Sequence, residues 1–144
     1  DYECPYSRAA YEQIQLVESG PSERVRFAFR HFPLTDIHPH ALAASAAAEA
    51  AALQGRFWEM QEMLFQGQTQ LKDDDLRRYA AALELDVALF DSHRTSVGVL
   101  GRVRRDAESG IASGEVRGTP TLFIDGVVHR GGYDAPGLLE ALSG

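Results

Sequence analysis

The spacing of apolar residues changes repeatedly along this 144-residue chain, and these changes constrain the fold more than any other feature. Apolar residues recur at helical spacing from Pro5 to Val17, and residues 25–32 then alternate in the manner of a β-strand. Residues 36–114 return to helical spacing. Two strand-like segments flank Asp125-Gly126, which favours a two-residue hairpin turn, and residues 133–142 follow as a final helix. This order predicts an α/β fold in which a helical block separates a helix–strand unit from a hairpin–helix unit.

The helical block contains four predicted helices. The first covers residues 41–53, and the second carries an apolar stripe over residues 57–64. Aspartates at positions 73–75 are predicted to cap the third helix. Asp86 is predicted to cap a fourth helix that extends to Leu100.

The only cysteine of the chain, Cys4, stands directly before the first predicted helix. Backbone N–H groups at a helix N-terminus favour an anion, and such a position can lower a thiol pKa from about 8.5 to roughly 3.5–7.5. A lone cysteine is more often a small buried hydrophobic residue. Pro5 favours the reactive alternative, because its missing N–H needs no partner in a first helical turn. We therefore expect Cys4 to lie in or just before that turn, away from any packed face.

Charge and composition limit the partners of the chain. Its formal net charge is −7, which disfavours binding to a nucleic-acid backbone or to an anionic membrane surface. No apolar stretch approaches the ~18 residues needed to cross a bilayer, so direct membrane insertion is not expected. With a single cysteine, no internal disulfide forms and the cysteine content does not indicate the compartment.

Histidines and acidic residues near the cysteine do not indicate a metal site. His38 and His40 flank a proline without a nearby cysteine or carboxylate cluster, which favours packing at a helix entry or surface exposure. Asp1 and Glu3 lie close to Cys4 in sequence, and an adjacent carboxylate opposes formation of a thiolate. The sequence leaves open whether the helix N-terminus outweighs them.

Five segments along the chain carry a recognisable family pattern. They are Asp1-Tyr2-Glu3-Cys4-Pro5-Tyr6, Arg30-His31-Phe32-Pro33-Leu34, Ile37-His38-Pro39-His40-Ala41, Gly55-Arg56-Phe57-Trp58-Glu59-Met60 and Gly118-Thr119-Pro120-Thr121. Together they resemble the thioredoxin-like superfamily, and within it the DsbA-like oxidoreductases with an inserted helical subdomain. The resemblance implies a thioredoxin-like core of residues 1–35 and 115–144 and an all-helical insertion of residues 36–114.

Within this superfamily, two groups of bacterial proteins are especially similar to the chain. One is the stand-alone DsbA-like proteins, and the other is the thioredoxin-like domain fused behind some sodium/proton antiporters. The second group makes a fusion to such an antiporter a candidate context for the chain. Both the bacterial cytoplasm and the periplasm remain open as its location.

Two features depart from the family pattern. The family motif ends in a second cysteine, where this chain has Ser7, and the sequence does not separate a natural serine from an engineered one. The family also has a β-strand that leads into the motif, and this N-terminal strand is missing before Asp1. We expect residues upstream of Asp1 in the natural protein to supply it.

The resemblance assigns roles to six residues. Cys4 attacks a disulfide as its thiolate and forms a mixed disulfide, but Ser7 cannot resolve it, so an external thiol such as glutathione is needed. The Ser7 hydroxyl either supports the thiolate or caps the first helical turn. Thr119-Pro120 is expected to be cis, to face Cys4 and to pair through its backbone with an extended substrate. Pro5 and Tyr6 are expected to contact the same substrate. Neither a metal nor a bound cofactor is expected, and glutathione is a candidate co-substrate.

The leading interpretation is a thiol–disulfide oxidoreductase that acts on protein or small-molecule disulfides and thiols. A second is a glutathione-dependent transferase or isomerase of the kappa type, although those enzymes place a serine where this chain has Cys4. A third is a non-catalytic module that binds peptides beside Thr119-Pro120 and is attached to a transporter.

Overall fold

The computed structural model describes residues 1–20 and 25–144, and these residues form seven helices and one two-stranded sheet. The helices are α1 (Pro5–Glu18), α2 (Ala41–Ala52), α3 (Phe57–Gln66), α4 (Asp73–Ala82), α5 (Val87–Arg94), α6 (Val97–Ser113) and α7 (Ala135–Ser143). The strands are β1 (Leu122–Ile124) and β2 (Val127–His129). This order follows the predicted succession of a first helix, a helical block, a hairpin and a terminal helix.

Helix α1 lies where the sequence predicts it. Pro5 occupies its first turn, and Ala10 and Val17 are buried against the rest of the molecule. Ala9 belongs to the apolar pattern that predicts this helix, but it is exposed because neighbouring residues of a helix point about 100° apart. The sequence Ser19-Gly20-Pro21 predicts the end of this helix, and of these residues Pro21 lies outside the described part of the chain.

Residues 25–32 form no β-strand, so the strand predicted there is wrong. Their burial does alternate as the sequence pattern indicates, since Val25, Phe27 and Phe29 are partly buried and the residues between them are exposed. A strand also needs a neighbour for its backbone hydrogen bonds, and in the described part of the chain only β1 and β2 are paired. The alternation therefore predicted which side chains face inward, but not the backbone pairing.

Helices α2 to α6 form the helical block around a core of small and aliphatic side chains. Seven alanines of α2 are buried, and such small side chains allow α3, α5 and α6 to contact it closely. Larger side chains from α3, α4 and α5 fill the rest of this core: Met60, Leu64, Phe65, Leu76 and Phe90.

The fourth predicted helix is two helices, α5 and α6, separated at Thr95-Ser96. Ser96 is the N-cap of α6, and its hydroxyl oxygen accepts a hydrogen bond from the Val99 N–H at 3.2 Å. The predicted cap of α5 is confirmed, because Asp86 accepts a hydrogen bond from the Leu89 N–H at 3.0 Å. A serine inside a continuous apolar stripe was the local signal for the break.

The predicted capping of α4 by the three aspartates is confirmed for Asp75, although none of the three is the N-cap residue. Lys72 is the N-cap residue, and Asp73, Asp74 and Asp75 lie in the first turn. The Asp75 carboxylate accepts a hydrogen bond from the Lys72 N–H at 3.1 Å. Acidic side chains in this position still interact favourably with the helix N-terminus.

Strands β1 and β2 form an antiparallel hairpin in which Leu122 pairs with His129. The φ angles of Asp125 and Gly126 are 49° and 83°, and two successive positive values are typical of a type I′ turn. The hairpin predicted from segments 121–124 and 127–130 is therefore confirmed, and each strand is one residue shorter than predicted at its outer end.

Helix α7 packs against α1 and holds the C-terminal unit in place. Val17 of α1 and Ala135 and Leu138 of α7 share a small buried cluster. The Ala135 N–H also donates to the Gln13 side-chain oxygen at 2.9 Å. These contacts hold the C-terminal unit beside the helix that follows Cys4.

Tyr2 anchors the first residues of the chain in the helical block. Its ring is fully buried, stacks on Phe29 with 5.1 Å between centroids and lies 4.9 Å from the ring of Phe65. Gln61 of α3 donates to the Tyr2 hydroxyl at 3.2 Å. The core therefore runs continuously across residue 36, while the division of the chain at residues 36 and 114 stays a prediction.

Candidate functional site

Cys4 is the N-cap residue of α1, as its place before the helix predicts. It is only 3% exposed, and its sulfur lies 3.4 Å from the carbonyl oxygen of Thr119. The expectation that Cys4 lies away from any packed face is therefore wrong. A segment 115 residues further along the chain contacts the sulfur, and local sequence patterns carry no information about such a contact.

The peptide bond between Thr119 and Pro120 is cis, which confirms the prediction. This segment lies just before β1 and faces Cys4. The thiol donates a hydrogen bond to the Thr119 carbonyl oxygen. The neutral Cys4 side chain therefore contacts the same backbone segment that is expected to bind a substrate.

Two buried hydroxyl groups at this site have no hydrogen-bond partner among the described residues. They are the side-chain oxygens of Ser7, which is 6% exposed, and Thr119. Capping of the first helical turn by Ser7 is therefore not observed, and the Cys4 N–H donates instead to the Asp1 carbonyl oxygen at 3.2 Å. A buried hydroxyl without a partner costs about 1–3 kcal/mol, so both groups are available to donate to a charged sulfur.

The pKa of Cys4 lies below its ordinary value. Burial raises this pKa, because a low-dielectric environment disfavours the thiolate. The hydroxyls of Thr119 and Ser7 and the backbone N–H groups of Ser7 and Tyr6 lower it by a larger amount, because hydrogen bonds to the anion favour it. The first turn of α1 thus contributes N–H donors, as its position after Cys4 predicts.

The Asp1 carboxylate points to the segment that precedes α2. Its side chain is fully buried, and one oxygen accepts hydrogen bonds from the Leu34 N–H and from His38 Nδ1, each at 2.8 Å. The other oxygen accepts from the Glu3 N–H at 2.8 Å. An ionised carboxylate only accepts hydrogen bonds, so this contact pairs an ionised Asp1 with the His38 tautomer that has its proton on Nδ1.

Glu3 makes a second pair with His40. One carboxylate oxygen accepts from the His40 backbone N–H at 2.7 Å, and the other from His40 Nδ1 at 3.1 Å. The two carboxylates that were expected to oppose the thiolate are thus both bound by residues 34–40. The interpretation of His38 and His40 as packing or surface residues missed these partners. Within residues 1–20 and 25–144, no group of His, Cys, Asp and Glu side chains is arranged to hold a metal ion.

Gln68, in the loop between α3 and α4, is a site residue that the sequence did not indicate. Its side-chain nitrogen donates to the carbonyl oxygens of Tyr2 at 2.8 Å and of Cys4 at 2.9 Å. No local signal marks a loop glutamine as a partner of the cysteine motif, because the contact depends on how the helical block packs against it.

Pro5 and Tyr6 lie on the surface next to Cys4, and the Tyr6 side chain is 66% exposed. An open groove of about 530 Å³ runs along Thr119-Pro120 and the hairpin, but neither Pro5 nor Tyr6 lines it. The structure therefore brings Cys4 to Thr119, one of the residues that line this groove, although Cys4 itself does not line it. The substrate contacts expected of Pro5, Tyr6 and Pro120 stay predictions.

Known proteins match nearly the whole chain. A family model described as thioredoxin matches residues 1–143. The chain is 43% identical over 144 residues to Na(+)/H(+) antiporter NhaA 1 of Mycolicibacterium vanbaalenii, a match that covers 99% of this chain and 23% of that protein. It is 44% identical over 144 residues to Na(+)/H(+) antiporter NhaA 3 of Salinispora tropica, with coverage of 99% and 21%. It is 40% identical over 135 residues to Na(+)/H(+) antiporter NhaA of Herminiimonas arsenicoxydans, with coverage of 94% and 21%.

The chain thus spans about a fifth of the length of the curated relatives it matches. None of the helices in the described part of the chain combines the length and apolarity needed to cross a bilayer.

Proposed function

Because the chain belongs to the thioredoxin family and has its α/β fold with a helical insertion, we propose that it is a DsbA-like thiol–disulfide oxidoreductase that acts through Cys4 alone. The observation that carries the proposal is the position of Cys4 at the N-cap of α1 with its sulfur against Thr119. The lowered pKa of Cys4 supports a thiolate as the reacting form.

In the proposed reaction, the Cys4 thiolate attacks one sulfur of a disulfide. A new S–S bond forms at Cys4, the old S–S bond breaks, and the second sulfur leaves as a thiolate that takes up a proton from water. Ser7 cannot complete the cycle, because its hydroxyl is not ionised near neutral pH and forms no stable bond to sulfur. An external thiol such as glutathione then attacks the mixed disulfide and releases Cys4 as a thiolate.

The burial of Cys4 favours slender substrates. An incoming sulfur must reach a side chain that is 3% exposed, so an extended peptide or oxidised glutathione suits the site better than a disulfide inside a folded domain. The backbone around Thr119-Pro120 offers hydrogen-bonding groups to an extended chain, as in the addition of a strand to a sheet edge.

Two measurements on the same sample test the proposal. The thiolate absorbance of Cys4 is followed against pH, and the intact mass is then measured after incubation with oxidised glutathione. We expect a pKa below about 8.5 and one glutathione adduct per chain, which added thiol removes. The Cys4→Ser variant is the control and should show neither signal. An ordinary pKa together with slow adduct formation would contradict the proposal.

The Ser7→Cys variant is a companion test, because it restores the second cysteine of the motif. We expect it to reduce the disulfides of insulin, which the protein with Ser7 does poorly. If the restored pair is inactive, the motif is not poised for oxidoreductase chemistry.

We also propose that the domain is attached to a sodium/proton antiporter. The support is that relatives named Na(+)/H(+) antiporter contain a region 40–44% identical to nearly all of this chain. In that setting, a non-catalytic module that binds peptides is the second candidate function. Tight peptide binding with an unreactive Cys4 would favour the module, and transfer of glutathione to an electrophile without an adduct would favour a transferase of the kappa type.

A further inference from the structure

We propose that His38 and His40 are positioning residues that hold the two acidic side chains beside Cys4 away from its sulfur. The inference deepens the proposed function and rests on it, because it concerns the reactivity of the same thiol. Both histidines lie outside the sequence motif that contains Cys4.

The motif brings two negative charges close to a sulfur that reacts as an anion. Asp1 lies three residues before Cys4, and Glu3 is its direct neighbour. A carboxylate that faces a thiolate raises the thiol pKa, and the effect is stronger where water is excluded. The Asp1 side chain is fully buried, so water does not screen its charge effectively.

The histidine side chains, together with the backbone N–H groups of Leu34 and His40, turn both carboxylates toward residues 34–40. His38 Nδ1 lies 2.8 Å from an Asp1 oxygen, and His40 Nδ1 lies 3.1 Å from a Glu3 oxygen. Both pairs use the same ring nitrogen, and His40 adds its backbone N–H at 2.7 Å. With their oxygens held by these donors, the carboxylates are not oriented to accept from the Cys4 thiol or to face its anion.

The two pairs share a common spacing. The acidic residues are two positions apart, and so are the histidines that bind them. Tyr2, between the acidic residues, points instead into the buried aromatic cluster. Both segments are tight turns, because the Cys4 N–H donates to the Asp1 carbonyl oxygen and the Ala41 N–H donates to the His38 carbonyl oxygen, each at 3.2 Å. The two turns therefore place two histidine donors opposite two carboxylate acceptors.

The primary test is the His40→Ala variant, because His40 and Glu3 are the more exposed pair and the fold should tolerate the change. We expect the thiolate titration to show the Cys4 pKa raised by roughly half a unit to one unit. Adduct formation with oxidised glutathione near neutral pH should then slow roughly 3- to 10-fold, since one unit is a tenfold change in thiolate fraction.

A double variant separates charge from structure. In His40→Ala combined with Glu3→Gln, the carboxylate is gone, so the Cys4 pKa should return to its original value. For the buried pair, His38→Asn keeps a donor near the position of Nδ1 and should preserve the pKa, whereas His38→Ala should raise it. His93→Ala, on α5, is the matched control and should leave the titration unchanged.

An unchanged Cys4 pKa in both alanine variants would overturn the proposal. A raised pKa that persists in the double variant would also overturn it, because lost structure and not freed charge would then be the cause. The thiolate titration tests this proposal even if Cys4 forms no mixed disulfide. If the Cys4 pKa responds as expected but no glutathione adduct forms, the proposed oxidoreductase function has failed while the proposal for the histidines stands.

Discussion

Replacing Ser7 by alanine should raise the pKa of Cys4 without destabilising the protein at acidic pH. The Ser7 hydroxyl is buried and, in the described structure, unpartnered while Cys4 is a thiol, so its removal then breaks no hydrogen bond. Once the thiolate forms, the hydroxyl becomes a donor to an anion. The substitution therefore destabilises the Cys4 thiolate but not the neutral thiol.

The size of the effect follows from this single contact. A hydrogen bond to a charged group contributes about 1.5–3 kcal/mol, and one pKa unit corresponds to about 1.4 kcal/mol. Sulfur is a weak acceptor, so the lower end of this range applies. We expect the pKa of Cys4 to rise by about one unit in Ser7→Ala.

The same shift determines how stability depends on pH. The pKa of Cys4 is lower in the folded protein than its ordinary value. The thiolate therefore contributes stability that is fully present above the unfolded pKa of about 8.5 and is lost as the pH falls through the folded pKa. Ser7→Ala should reduce the free energy of unfolding by about 1.4 kcal/mol above that range. Well below the folded pKa, the free energy of unfolding of the variant should equal or slightly exceed that of the original protein.

The assay combines a thiolate absorbance titration with urea unfolding at one acidic and one alkaline pH. Ser45→Ala is a matched control, because Ser45 Oγ on α2 is another buried hydroxyl with no partner in residues 1–20 and 25–144. Its effect on stability should be the same at both pH values, and the pKa of Cys4 should not change. An unchanged Cys4 pKa in Ser7→Ala, or an equal loss of stability at both pH values, would show that the Ser7 hydroxyl does not stabilise the thiolate.

Three further perturbations test other contacts. Thr119→Val keeps the side-chain shape but removes the second hydroxyl, so the same titration should show the Cys4 pKa raised by about one unit. Gln68→Ala removes the donor to two carbonyls, those of Tyr2 and Cys4, and urea unfolding should show a loss of about 1–3 kcal/mol. Gly126→Ala places a side chain at a φ of 83° and should cost about 1–2 kcal/mol, seen as a lower Tm with an unchanged Cys4 titration.

Local signals in the sequence were sufficient for most of the helices and for the hairpin. Pro5 after a possible cap residue marked the start of α1, and Asp125-Gly126 marked the turn between β1 and β2. Each of these features depends on backbone preferences over a few residues, which a single sequence displays directly. The break at Ser96 was also visible in principle, but the apolar stripe that continues through it masked the cap.

Contacts between distant segments were not predictable in this way. The alternation in residues 25–32 indicated the inward side chains but said nothing about a neighbouring strand. The burial of Cys4 depends on Thr119, and the roles of His38 and Gln68 depend on how the helical block meets the motif. These parts of the site follow from tertiary packing, for which a single sequence contains no local pattern.

The hydrogen bonds between the helical block and residues 1–4 have a consequence for how such domains diverge. Four consecutive residues are each held by a different side chain from beyond residue 36: Asp1 by His38, Tyr2 by Gln61, Glu3 by His40 and Cys4 by Gln68. Substitutions in the helical block therefore change the surroundings of the thiol while the cysteine motif itself stays the same. Grafting the block of one relative onto another would transplant these four contacts together, which gives evolution and protein engineering a means to retune the thiol from outside its motif.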